Sequence, residues 1–149
     1  MRHTLFAAVA ALSGLALLPG CASSGLSRAD TLAVYQAAAG APVPSFHYFG
    51  RVTSWTPVGE RHVAVWTRPS EAWLLGFDSR CPDIDVSPVI SLTSQGNRVN
   101  AGFDKVMVHN GNAMQVPCRI REIRPLDTTR LKAEEKAARE GAQAGPSGT

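Results

Sequence analysis

The sequence predicts a mainly β, α+β fold: a small antiparallel sheet closed into a barrel or sandwich, with a short N-terminal helix and a C-terminal helix and tail. Three observations carry that expectation. Between residues 45 and 126, six or seven short runs rich in aromatic and β-branched residues are separated by turn-forming clusters. Apolar residues take up helical spacing only outside that stretch. Two cysteines, Cys81 and Cys118, stand within it, a usage common in small secreted domains with modest cores.

The chain begins with Met1-Arg2-His3-Thr4, a short, positively charged opening, and continues without charge from Leu5 to Leu18. A transmembrane helix needs ~20 apolar residues, so this length suits the core of a signal peptide better. Leu18-Pro19-Gly20-Cys21 then resembles a bacterial lipobox. In that pathway the cysteine thiol receives a diacylglyceryl group and the peptidase cuts before it. The resemblance makes Cys21 the lipidated N-terminus of the mature chain, and the Ala22 that follows favours the outer membrane, facing the periplasm. The alternative is an ordinary signal peptide cut near Ala22, with Cys21 discarded. The organisation is then residues 1–20 as signal peptide, 21–44 as lipidated tether and short helix, 45–126 as β-rich domain, and 127–149 as charged helix and disordered tail.

Ser27 with Asp30 forms an N-cap arrangement, and Leu32, Tyr35 and Ala39 recur at helical spacing before Gly40 and Pro42, predicting a helix over about Arg28 to Ala39. The β region opens with His47 to Trp55, followed by His62 to Thr67 and Ala72 to Phe77. Val86 to Thr93, interrupted at Pro88, precedes Arg98 to Phe103, Lys105 to His109 and Ala113 to Arg124. Ser94 to Asn97 and Asn110-Gly111-Asn112 supply turns. Asp127 or Thr128 can cap a charged helix through about Glu140, whose few apolar residues would bury little; Gly141 to Thr149 is a low-complexity tail.

The precursor has 149 residues and a net charge of +3, which falls by one when Arg2 is removed. That balance, with the compartment, excludes a nucleic-acid partner. With Cys21 assigned to lipid, Cys81 and Cys118 remain as a pair in an oxidising compartment, separated by 36 residues. A bridge closing such a loop stabilises by roughly 3–4 kcal/mol. A reactive or metal-binding thiol pair is disfavoured, because there is no Cys-x-x-Cys and no histidine beside either cysteine.

No nucleophile elbow, zinc-protease helix, phosphate loop or calcium loop occurs. No metal site and no cofactor is predicted. Asp78, Asp83 and Asp85 could gather around a hard cation, but turn hydrogen bonding is the simpler role. His47, His62 and His109 would need three strands to converge to bind metal. Trp55, Trp66 and Trp73 could stack a ligand, although in so small a domain core or core-rim packing is preferred. In Cys118-Arg119-Ile120-Arg121-Glu122, regular alternation puts Cys118, Ile120 and Glu122 on one face. Arg119 and Arg121 then share the other face as a candidate binding surface; a solvated face is the plainer reading.

The order of these weak motifs resembles a family of small secreted Gram-negative domains of unknown function, often lipoproteins. The matching residues are Trp55, the strand His62 to Thr67, Ala72-Trp73-Leu74-Leu75-Gly76-Phe77-Asp78 leading to Cys81, Asp104-Lys105-Val106, and Cys118-Arg119-Ile120 with Ile123. Trp73 departs from the tyrosine common at that place. The resemblance spans about residues 45 to 126, implies a single β-rich domain with a Cys81–Cys118 bridge, and implies no activity. The expected role is an outer-membrane-anchored, non-enzymatic binding or assembly accessory, with an envelope protein or glycan as partner. The rivals are a small envelope enzyme whose dispersed site includes His62, His109 or Asp104, and a structural spacer.

Overall fold

The structure is a computed structural model that describes residues 25–111 and 115–144. The signal segment, the lipobox with Cys21, Ala113 and the last five residues lie outside the described residues. Helix α1 spans Arg28–Ala37, and its cap is the one expected: the Ser27 hydroxyl accepts from the Asp30 amide. It stops two residues short of the predicted end because the sheet claims the next backbone groups. The Asp127 amide donates to the Ala38 carbonyl, Ala39 bridges to Leu126, and the Gly40 amide donates to the Pro125 carbonyl.

Among the described residues eight strands follow: β1 (Ser45–His47), β2 (Ser54–Pro57), β3 (His62–Arg68), β4 (Glu71–Phe77), β5 (Val89–Leu92), β6 (Arg98–Asn100), β7 (Lys105–His109) and β8 (Gln115–Leu126). Six of them form one antiparallel sheet in the order β2-β3-β4-β8-β7-β5, while β1 and β6 pair as a separate ribbon. The expected closure into a barrel is corrected. The sheet curls into a half barrel with β2 and β5 as unjoined edges. Closure is unnecessary because Phe46 and Val99, from the ribbon, join the buried cluster of the sheet's inner face.

Local chemistry accounts for the shortened strands. The run from His47 to Trp55 is not one strand but splits into β1 and β2, turning at Gly50, which has φ 77°. Pairing in the run from Val86 to Thr93 begins only at Val89; upstream, the Ser87 hydroxyl lies 2.7 Å from the His109 carbonyl and 2.8 Å from that of Val89. The β6 strand ends at Asn100 because buried Asp104 gathers the chain there. Its carboxylate accepts from the Asn100 amide (2.7 Å), Asn100 Nδ2 (3.0 Å) and Thr93 Oγ1 (2.7 Å). Before β6, Gly96 and Asn97 both have positive φ, 56° and 59°, giving the two-residue hairpin turn that Gln95 and Arg98 close.

Alternation along the strands divides the apolar residues between two cores. Val63, Val65, Leu75, Val106, Val108, Ile120 and Ile123 point inward and are fully buried. The disulfide Cys81–Cys118, with Cα atoms 5.5 Å apart, lies in this inner core and ties the loop after β4 to β8. Ala64, Ala72, Leu74 and Leu126 point outward and pack against Val34, Tyr35 and Ala38 of the α1 segment and Leu131 of the C-terminal helix. Helix α2 spans Thr128–Gln143 and is capped by Asp127, whose carboxylate accepts from the Thr129 and Arg130 amides. It runs past Glu140 because a single glycine such as Gly141 costs only about 1 kcal/mol relative to alanine. Among the described residues, no helix is long and apolar enough to cross a membrane.

Candidate functional site

Among the described residues, only half of the outer sheet face is roofed. The helices rest on β3, β4 and the C-terminal end of β8. Across the rest of β8 and β7, outward positions pair in register as Lys105 with Arg119, Met107 with Pro117, and His109 with Gln115. Val89, the outward residue opposite His109 on edge strand β5, is 54 % exposed. The result is an open surface with apolar residues at its centre and cations at one end.

A β-bulge sharpens that charge. Phe77 pairs with Ile120 and Gly76 with Glu122, so Arg121 is the additional residue on β8. This corrects the regular alternation, which put Glu122 on the face of Cys118 and Ile120. In the structure Cys118 and Ile120 are buried, Arg119 and Arg121 are exposed, and the next buried residue is Ile123. Glu122 instead pairs with Arg124, whose bound guanidinium holds the Glu122 carboxyl below its usual range.

Lys105 directly opposite Arg119 is a like-charge pair, an arrangement that destabilises a sheet by roughly 0.2–1 kcal/mol. Arg119 has only a long contact, 3.9 Å, with the Asp78 carboxylate. Neither Lys105 nor Arg121 makes an ion pair among the described residues. The surface therefore carries positive charge that the described residues leave largely unneutralised. Lys105 and Met107 were absent from the sequence-based surface, although the alternation Lys105-Val106-Met107-Val108 already assigns them to the face opposite the core.

The other candidate residues are dispersed. His62, in β3, lies over Gly76, where an added Cβ would meet its ring at 3.5 Å. Burial lowers its pKa, with the neighbouring Glu122 acting in the opposite direction. His109 meets Ser91 Oγ at 2.8 Å, and His47 meets Arg98 on the ribbon. Strands β4 and β8 separate His62 from β7, while Asp104 and His109 lie at opposite ends of β7. These three residues therefore do not come together, and the Asp104 carboxylate is engaged by three donors from the chain itself. Asp85 pairs with Arg28, Asp83 accepts from Asn110, and Asp78 faces Arg119, so the three aspartates do not converge. Among the described residues, no group of three or more His, Cys, Asp or Glu could hold a metal ion. Trp55 and Trp73 border the inner core, and Trp66 borders the outer one, edge-on to Tyr35.

Fold and surface together define a disulfide-bonded, open antiparallel half barrel with one helix-covered and one uncovered outer half. The chain belongs to a family of unknown function, DUF6491, whose model matches residues 1–142. No curated protein and no solved structure matches it.

Proposed function

We propose that the protein is an outer-membrane lipoprotein, anchored through Cys21 at the periplasmic face. Its role is that of a non-enzymatic binding or assembly accessory of the cell envelope, holding an acidic envelope protein against the uncovered sheet face. The observation that carries this reading is the unroofed half sheet on which Lys105 opposes Arg119 and the bulge adds Arg121. A partner's carboxylates would relieve the like-charge contact. Met107 and Pro117 beside the cations, with exposed Val89 farther along the same face, favour a protein over a glycan, since methionine and arginine are enriched where proteins meet.

Two measurements test the two parts. For the anchor, the intact mass of the membrane-extracted protein should correspond to a chain beginning at Cys21 with its acyl groups, and Cys21→Ser should abolish the addition. A mature chain beginning after Cys21 overturns it. For the surface, a photo-crosslinking residue at Pro117 should capture one acidic envelope protein in intact cells, whereas the same residue at Lys132 on α2 should not. The double variant Arg119→Glu/Arg121→Glu should lose that adduct without any lowering of its thermal midpoint. Capture that survives the charge reversal sinks the surface assignment.

A further inference from the structure

On the other side of the sheet, a cavity of about 440 Å³ opens between the β1–β6 ribbon and the β3–β4 hairpin, within the size range of small-molecule sites. Its deep side is aromatic: buried Phe46 stacks on Trp73, with centroids 4.6 Å apart and planes at 17°. Phe49 stands at the rim, 67 % exposed. The Arg68 guanidinium lies 5.2 Å from the Phe49 centroid, and the His47 ring is nearly parallel to it at 6.4 Å.

One wall is Arg98, and its bonding is incomplete. Nε and Nη2 donate to Ser45 Oγ at 3.1 and 2.6 Å, and Nη1 meets His47 Nε2 at 3.0 Å. A guanidinium can only donate, so His47 Nε2 is the acceptor there, and Arg98 keeps further N–H groups for a ligand. No described carboxylate pairs with it. Arg68, in contrast, is already paired with Glu71 at 3.0 Å, and Glu71 also accepts from Thr67 Oγ1. The cavity thus offers one unneutralised cation, held in place by two neighbours, beside aromatic surface. The Glu71 carboxylate on the same lining disfavours a dianion such as phosphate.

The cavity also lies at the end of the sheet opposite the start of the described chain. The N-terminus of α1 is fixed at the β2–β3 end by Arg28 bonded to Asp85, whose loop meets Glu60 through the Cys81 amide. The hairpin that borders the cavity, Arg68 to Glu71, is at the opposite end of β3 and β4. A chain held at residue 25 would present this opening to the surrounding solution.

We propose that this cavity is a binding site for a small organic monocarboxylate with a flat ring body, its carboxylate on Arg98 and its ring against Phe49 and Trp73. The purified mature protein, disulfide intact, is titrated with phenylacetate, phenylacetamide, hexanoate and inorganic phosphate, and followed by amide chemical shifts and tryptophan fluorescence. Phenylacetate should give saturable shifts confined to residues 45–49, 68–73 and 98. Phenylacetamide, hexanoate and phosphate should each bind at least about tenfold more weakly. Arg98→Gln should weaken phenylacetate by a similar factor. Phe49→Ser, at an exposed position where the fold is not at stake, should weaken it as well while leaving the remaining amide spectrum unchanged. No saturation by about 10 mM phenylacetate, equal binding of the amide or of phosphate, or undiminished binding by both variants overturns the proposal.

Discussion

On β3, β4 and the end of β8, the outward residues buried under the helices are Ala64, Ala72, Leu74 and Leu126; on β7 and the first part of β8 the outward residues include Lys105, Met107, Pro117 and Arg119. Both sets belong to one sheet and stand over one inner core. The first set is small or apolar, and two helices lie on it. The second is charged or mixed, and no described element covers it. The bulge at Arg121 lies at the boundary, reversing the parity of β8 so that Leu126 reaches the helices while Ile120 and Ile123 both stay inside. One strand thereby serves two different surfaces, one packed under the helices and one whose charge does not help folding.

The largest expected effect tests that division directly. Leu74→Asp buries a carboxylate with no partner under the helices and should cost about 4 kcal/mol or more in urea unfolding. Arg119→Glu, at an outward position in the uncovered half, turns the like-charge contact with Lys105 into an opposite-charge one and should stabilise by about 1 kcal/mol or less, with no loss. Similar losses at the two sites would mean that the uncovered half is also a folding surface. Next, replacing both Cys81 and Cys118 with alanine should cost about 3 kcal/mol. The bridge joins β8 to the loop after β4 at the uncovered half, so amide exchange should rise more in β5 and β7 than in α1 and α2. Uniform acceleration would show the two halves to be a single cooperative unit. Asp104→Ala should cost about 2–3 kcal/mol by stranding the donors of Asn100 and Thr93. A smaller loss, with phenylacetate binding still intact, would mean that β6 is held by its hairpin and its pairing to β1 instead.

The helix-covered half was the more legible in the sequence. The alternation in His62 to Thr67 and Ala72 to Phe77 marks two strands, and the caps at Ser27 and Asp127 mark where the helices begin. The two cysteines, once Cys21 is assigned elsewhere, have only each other. What escaped depends on pairs of segments. Strand alternation in β8 alone puts Glu122 inside; the shift arises from how β8 meets Gly76 and Phe77. Openness of the half barrel depends on a ribbon whose strands are separated by half the β region. The cavity is less visible still, because Ser45, Arg68 and Arg98 carry no common spacing and meet only after β1 pairs with β6. His47 and Trp73 were singled out, but for metal binding and for a tryptophan platform, not for this cavity.

The smallest effect lies at the boundary itself, where His62 covers Gly76 just beyond the helices. Burial lowers the His62 pKa below its ordinary 6.5, an effect that the Glu122 charge partly counters. As pH falls below that ordinary value, the unfolded chain takes up the proton first and gains stability relative to the native state. Native stability is therefore full above the unfolded value and declines as pH falls through the window between 6.5 and the lowered native value. Glu122 acts in a separate window. Its lowered pKa, set chiefly by the hydrogen bond from Arg124, contributes above its ordinary 4.5 and is lost below it, and solvent exposure keeps that contribution small. Urea midpoints measured at about pH 7.5, 6 and 5 should fall in the wild type, and His62→Gln should flatten that fall. Glu122→Gln should leave a fall in the same interval and flatten only the part below 4.5, read from a further midpoint at about pH 3.5. An unchanged slope in His62→Gln would move the pH sensitivity away from this boundary.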